Sequence, residues 1–469
     1  MNAIIVSAVL GVVMMFCSFL VENKGLYRHI ASFGLVILLI ANFLSAKGIN
    51  LFDIDDHNML HFNNFGIAFN TIAIFATLVY VLLTGKEVEK YGKYSAEFFT
   101  LIFFSLCGVT ILSAYNNLLM LFLGIEIMSI PLYILTGSDK RNLKSNEASL
   151  KYFLMGAFST GLMLMGIALM YGGTGTFQLE VERVAGLGAG KAISFLEAIG
   201  LLFLFVSLAF KVSAAPFHFW TPDVYDGAPT VFTSFMATVI KAAGFIAFIK
   251  LCEVKVSETN LTADKLFGIN WQLLFAFLIV ATLLIGNITA VFQQSVKRML
   301  AYSSIAQAGF MLFSLFSLND VAQEGLLLYS AAYSLATIGI FAVLVKMKDF
   351  TFEGFNGLGK TQPLVAAVTT VFLLSLAGIP LTGGFFAKYY MLASVIKTGS
   401  YMWLVVVGVL FAAVSVYYYF RVIQAMYFKE GSAATEEFTP SLKFGLLALS
   451  ALIVLIGIWP SIVINYLYF

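Results

Sequence analysis

Leu201-Leu-Phe-Leu-Phe-Val-Ser-Leu-Ala-Phe-Lys211-Val-Ser-Ala-Ala-Pro216-Phe-His218 is the stretch that decides the class of fold. An almost wholly apolar run ends on a lysine, and a proline follows five residues later. Extended back to residue 192, the run approaches the roughly 20 residues that a bilayer-spanning helix needs. It is one of many. Hydrophobic residues make up 60% of the 469 and charged residues 11%, against about 25% charged in soluble domains. Mean hydropathy is +0.93. No water-soluble fold hides so much apolar surface, so the solvent is lipid. Lipid leaves exposed backbone unsatisfied, which restricts spans to helices or a closed barrel. These runs are too long for barrel strands of about ten residues. The chain therefore reads as an all-α polytopic membrane protein.

About fourteen spans follow from the apolar runs: 3–20, 28–46, 64–84, 97–114, 116–136, 150–171, 192–213, 229–250, 270–291, 298–317, 323–347, 362–396, 401–425 and 442–464. The first lacks the basic start and small-residue cleavage site of a signal peptide and reads as a retained helix. Basic residues concentrate after the odd spans, at Lys24, Lys86, Lys90, Lys140, Arg141, Lys297, Arg298 and Lys346 among others. The positive-inside rule then places both termini on the non-cytoplasmic side. Net charge is +2 with no basic run, which offers nucleic acid no footing. Cys17, Cys107 and Cys252 stand apart, so no iron–sulfur or zinc site is encoded. His57 and His61 beside Asp53, Asp55 and Asp56 read as a solvated loop rather than a metal site. Gly186-Leu-Gly-Ala-Gly-Lys191 resembles part of a phosphate loop but lacks a glycine at Ala185 and a hydroxyl at Ala192.

Two spans are interrupted. Span seven breaks at Lys211-Val-Ser-Ala-Ala-Pro216, and span twelve at Ala377-Gly378-Ile-Pro380-Leu-Thr-Gly383-Gly384. Proline removes a donor and clashes with the preceding turn. Broken helices at corresponding places in two halves point to a transport site built from inverted repeats. Spans 4–8 and 9–13 form two such five-helix blocks, of opposite orientation because five is odd. The expected divisions are 1–96 for three N-terminal helices, 97–250 and 270–425 for the repeats, and 442–469 for the last helix. Inside these spans lie Glu126, Lys211, Lys241 and Lys388. An ionisable residue at the centre of a span costs about 2.5–3.5 kcal/mol on insertion scales. Out of water an amine favours its neutral form, and a nearby carboxylate favours the charged one. A lysine poised between them suits proton transfer, and Glu126 is the expected partner of Lys211. Glu147 and Lys151, four residues apart, share a helix face. His218, just past the first break, titrates near neutrality and completes the candidate set. A static ion pair bracing the bundle is the competing explanation, but it needs one pair, and here three lysines meet one clearly buried acid.

Phe217-His218-Phe-Trp220-Thr221-Pro222-Asp223-Val224-Tyr225-Asp-Gly227-Ala228-Pro229-Thr230 resembles the loop after span seven in the antiporter-like membrane subunits of respiratory complex I, the proton-pumping NADH:quinone oxidoreductase. Its Thr-Pro-Asp-Val-Tyr and Gly-Ala-Pro forms are closest to the N branch. Gly124-Ile-Glu126-Ile-Met-Ser129, Lys297-Arg298-Met-Leu-Ala-Tyr302-Ser303-Ser304 and Gly378-Ile-Pro380-Leu-Thr-Gly383-Gly384-Phe-Phe-Ala-Lys388 resemble its span-five, span-ten and span-twelve motifs. The resemblance covers nearly the whole chain. It implies fourteen core helices with two inverted five-helix repeats and no redox centre. Glu126 is then the span-five glutamate, Lys211 its span-seven partner, Lys241 the central lysine, and Lys388 the lysine at the exit half-channel. Glu147, Lys151 and His218 take supporting roles. NAD, flavin, iron–sulfur clusters and quinone are expected on other subunits, with none on this chain. The implied partners are the antiporter-like subunit M, the small subunits K and J, and membrane lipid. Subunit M would carry a glutamate where Lys388 stands, and subunit L a long lateral C-terminal helix beyond the last span. The full N-terminal set of helices favours a bacterial inner membrane. A subunit of an Mrp-type cation/proton antiporter is the alternative within the same ancestry.

Overall fold

The computed structural model describes the chain except residues 22, 53–56, 92–94, 180–193, 259–270, 400 and 469. Asp53, Asp55 and Asp56 and the glycine-rich stretch 186–191 lie outside the described residues. The first six helices are α1 Asn2–Leu20, α2 Gly25–Ala46, α3 Asn64–Val88, α4 Ser95–Ala114, α5 Leu118–Thr136 and α6 Leu143–Thr174. Then come α7 Phe195–Lys211, the short α8 Trp220–Gly227 and α9 Thr230–Val254. The rest are α10 Trp271–Val291, α11 Val296–Ser317, α12 Asp320–Leu344, α13 Pro363–Ala377, α14 Gly383–Lys397, α15 Met402–Phe428 and α16 Pro440–Ile458. Among the described residues, β pairing is confined to isolated bridges such as Met347 with Thr435.

Local chemistry sets several of these starts. Asn117 opens α5 by accepting from the Leu119 N–H at 2.8 Å, and Ser295 opens α11 by accepting from the Arg298 N–H, each occupying an orphan donor of a first turn. Pro363 and Pro440 stand in the first turn of α13 and α16, where a missing N–H does no harm.

Among the described residues twelve helices are long and apolar enough to cross a bilayer, and the chain is a multi-pass membrane protein. The difference from the expected fourteen falls on the segments expected to form spans seven and twelve. α7, α13 and α14 have 17, 15 and 15 residues, short of the roughly 20 a continuous span requires.

Burial separates an interior from a lipid-facing shell. α9, α11 and α12 are buried along almost their whole length, whereas α1, α2, α6 and α15 bury only a minor part. Apolar side chains cannot drive helices together inside lipid, so close packing must do it. The interior helices carry the small residues this needs, including Ala242, Ala243, Ala301, Ala308, Ala332 and Ala336, all buried. The shell turns Phe16, Phe33, Ile40, Phe158, Phe277 and Leu410 outward, as a lipid solvent dictates.

Candidate proton-transfer site

α7 ends on Lys211, and the backbone then leaves helical geometry. Ser213 adopts φ +65, a left-handed conformation rare outside glycine. The peptide bond between Ala215 and Pro216 is cis. Backbone groups released by a break inside lipid need new partners, and side chains provide them. Trp220 donates its indole N–H to the Phe210 carbonyl at 3.0 Å. Thr282 on α10 accepts from the Ala215 N–H at 2.9 Å. Thr221 donates to the Ser213 hydroxyl at 2.7 Å. The Lys211 ammonium, 8% exposed, donates to the Ser129 hydroxyl of α5 and lies 5.8 Å from the Tyr152 ring centroid. Cations near an aromatic face gain from its quadrupole.

Lys241 lies in the middle of α9 and is 2% exposed. Its Nζ donates to the carbonyl oxygen of Ser304 at 2.8 Å and to its hydroxyl at 2.9 Å. The turn just before it, Met236–Ile240, is π-helical. Such single-turn bulges are rare and frequent at functional sites. No feature of the sequence announced this one.

Lys388, 6% exposed, reaches from α14 to the far side of the second break. It donates to the carbonyl of Ala377, the last residue of α13, at 2.9 Å and to Ser415 at 3.4 Å, with the Phe310 ring centroid 4.8 Å away. Gly378 makes this approach possible. It has φ +83, and a Cβ there would stand 2.8 Å from Lys388 Cδ. Gln307 satisfies the next carbonyl by donating to Leu376 at 3.0 Å, and it donates to the Tyr419 hydroxyl at the same distance. Tyr329 donates to the Gln307 side-chain oxygen.

The expected acid–base partnership takes another form. Glu126 is half-buried, and among the described residues no ion pair joins it to Lys211. Ser129, three residues further along α5, takes the direct hydrogen bond from Lys211. Glu147 and Lys151 pair at 2.7 Å, and Lys151 also meets Asp223 at 2.8 Å. Arg298 joins Asp223 at 3.1 Å. These groups line an open cleft of about 170 Å³ with Lys144 and Asp226. His218 is half-buried, and among the described residues its Nδ1 has no hydrogen-bond partner.

Sequence reasoning missed three further amines. Lys250, Lys297 and Lys346 read as loop or helix-end cations, yet they are 8%, 4% and 8% exposed. Lys297 donates to the carbonyls of Asp226 and Ala228 at 2.8 and 2.7 Å, closing the end of α8. Lys346 pairs with Glu87 at 2.5 Å and Glu436 at 3.4 Å. Lys250 donates to the carbonyls of His61 and Ser113. A stem buried by tertiary packing leaves no local mark in the sequence. Among the described residues no group of three or more His, Cys, Asp or Glu is placed to hold a metal.

A model of the NADH:quinone oxidoreductase/Mrp antiporter transmembrane family matches residues 115–415. A protein of Cytophaga hutchinsonii named NADH-quinone oxidoreductase subunit N is 40% identical over 476 residues, which cover 99% of either chain. The chain belongs to the NADH-quinone oxidoreductase subunit N family. Among solved structures, a chain of respiratory complex I from Thermus thermophilus with bound aureothin is 30% identical, with a TM-score of 0.83 over 99% of this chain and 98% of that one. A chain of the Mrp complex from Dietzia sp. DQ12-45-1b shares the fold at 18% identity, with a TM-score of 0.85 over 99% and 95% of the two chains. The matched region of this subunit N family member takes in every candidate residue from Glu126 to Lys388.

Proposed function

We propose that this chain is the proton-translocating membrane subunit N of an NADH:quinone oxidoreductase, in which quinone reduction on other subunits drives proton transfer along Lys211, Lys241 and Lys388. One observation carries the reading. All three amines are buried, and among the described residues each is held by neutral oxygens rather than by a carboxylate. A lysine locked in a buried ion pair is strongly bound to its proton, because giving it up leaves an uncompensated charge. A lysine held by hydroxyls and carbonyls loses only hydrogen bonds. A bracing role calls for the first arrangement and a proton wire for the second.

Glu126 supplies the switch in this reading. When its carboxylate moves toward Lys211 the ammonium is favoured, and when it moves away the proton is released. The wire runs from Lys211 and Glu126 through Lys241 to Lys388, with Glu147, Lys151 and His218 in supporting roles on the cytoplasmic side.

The inverted repeat has support in the register of two helices. Glu126 is the ninth and Ser129 the twelfth residue of α5; Ser304 is the ninth and Gln307 the twelfth of α11. Ser129 binds Lys211, and Gln307 borders the same cavity as Lys388. The twelfth residue of α5 thus binds Lys211, and the twelfth of α11 shares a cavity with Lys388. In this reading α7 and the α13–α14 pair are the interrupted spans seven and twelve, which brings the total to fourteen. Residues 97–250 and 270–425 are the two repeats, flanked by 1–96 and 442–469.

The chain works inside a multisubunit assembly of the bacterial inner membrane, with both termini on the non-cytoplasmic side. Its neighbours are the antiporter-like subunit M and the small subunits K and J. NAD, flavin, iron–sulfur clusters and quinone belong to other subunits. An Mrp-type antiporter subunit is the second reading, favoured by the family description the two share. Copurification of the native assembly separates them by the partners recovered. The decisive experiment replaces Lys211 or Glu126 with alanine in the assembled complex and measures protons pumped per NADH oxidised. Unchanged pumping would remove the proposed wire.

A further inference from the structure

Lys241 and Lys388 are held by separate groups, and the structure assigns a residue to the gap between them. Tyr333 lies on α12, 4% exposed, and among the described residues its hydroxyl has no hydrogen-bond partner. Ser304 and Thr337 stand beside that hydroxyl. Ser304 is the residue that holds Lys241. Tyr333 also borders a small cavity of about 10 Å³ that touches Lys388, Gln307 and Ser375. A single water begins to fit at about 10–15 Å³ when two to four polar groups surround it. This cavity stands at the lower edge of that size, and Gln307, Tyr333, Ser375 and Lys388 are among the residues that line it.

Gln307 and Tyr329 do not suit the task. The Gln307 side chain accepts from Tyr329 and donates to the Leu376 carbonyl and Tyr419, so the amide is fully committed. It forms a wall of the cavity and fixes its shape. The phenol of Tyr333 is the uncommitted group.

We infer that Tyr333, with one water in this cavity, carries the proton from Lys241 to Lys388. The inference rests on the lysine wire proposed above. The Lys241 ammonium gives a proton to the Ser304 oxygen. The Ser304 hydroxyl, which donates to the Ala301 carbonyl in this structure, turns and gives its own proton to the Tyr333 oxygen. The phenol passes its proton to the water, and the water passes one to neutral Lys388. Serine, tyrosine and water end as they began; Lys241 has lost one proton and Lys388 has gained one.

The test uses the complete complex, reconstituted in liposomes, with protons pumped per NADH oxidised as the readout. Tyr333→Phe keeps the ring and removes the hydroxyl. Ala387→Val fills the cavity from α14, where Ala387 is buried and borders it. Lys388→Ala is the reference for a broken wire. We expect both variants to fall to the pumping level of Lys388→Ala. Wild-type pumping in either one, beside a deficient Lys388→Ala complex, overturns the inference and leaves the wire intact. Wild-type pumping by Lys388→Ala itself overturns the wire. Should Tyr333→Phe fail to assemble, Ala387→Val decides alone.

Discussion

Ser304 holds Lys241 twice, through its carbonyl oxygen at 2.8 Å and through its hydroxyl at 2.9 Å. Both acceptors are neutral and both sit on α11, a helix buried along almost its whole length. The amine is therefore fixed in position without being fixed in charge. An arginine in the same place would not have that freedom, because its guanidinium never deprotonates in a protein. Lys241→Arg is expected to keep the assembled complex and its NADH oxidation by the soluble arm. Protons pumped per NADH should drop to the level of Lys241→Ala. Rescue by arginine would show that charge alone is required.

Ser304→Ala separates positioning from transfer. The carbonyl acceptor remains, and a single lost hydrogen bond from a charged donor is worth about 1.5–3 kcal/mol. The complex should melt within a few degrees of wild type yet pump fewer protons per NADH. A large loss of thermal stability with normal pumping would make Ser304 a structural group only.

Gly378 tests the second break. Any side chain meets the left-handed φ +83 and the Lys388 stem together. The backbone alone costs roughly 1–2 kcal/mol. Gly378→Ala should lower the melting temperature and, by displacing Lys388, also lower pumping. Gly399, with φ +73 and open space around it, is the control: Gly399→Ala should lower only stability.

Asp223 ties Lys151 and Arg298 together at an open cleft. Side chains exposed by more than a third make weak pairs, worth about 0–1 kcal/mol and screened by salt. Asp223→Asn is expected to shift the melting temperature slightly at low ionic strength and not at all in molar salt. Thermal unfolding in detergent at two salt concentrations reads this out.

The clasp at Glu436 predicts a pH dependence. Its carboxyl is held below the usual range, first by the hydrogen bond from Lys90, against a smaller push upward from burial, with Lys346 adding to the lowering. A depressed carboxyl stabilises the folded state above its unfolded value, about 4.3, and loses that contribution as pH falls through the folded value. Glu436→Gln should therefore melt below wild type by a constant margin between pH 8 and 6. The margin should close as pH falls below about 4. A margin that widens in acid would reverse the sign of this argument.

Much of the architecture was legible because lipid punishes ambiguity. A span needs an apolar run of fixed length, so α1 to α6 and α9 to α12 stand close to their sequence ranges. Pro216 falls between α7 and α8, and Gly378 and Pro380 between α13 and α14, since few residues open a helix. Lys211, Lys241 and Lys388 stood out as charges in apolar surroundings, and all three are buried. What escaped notice depends on contacts between distant residues. Ser129 rather than Glu126 meets Lys211, a choice set by tertiary packing that the local sequence does not record. Lys297 and Lys346 sit at helix ends in sequence but are covered by neighbouring chain. Gln307, Tyr329 and Tyr333 look like ordinary residues of two helices until the fold sets them around one cavity.

The tightness of that cavity has a consequence for what can travel. A proton needs only one molecule to hop through, and about 10 Å³ beside Lys388 supplies no more than that. A sodium ion must bring part of its hydration shell or find several oxygens to replace it. The passage would then act as a sieve whose mesh is set by how closely α11, α12 and α14 approach one another, and a single added methyl group would be enough to shut it.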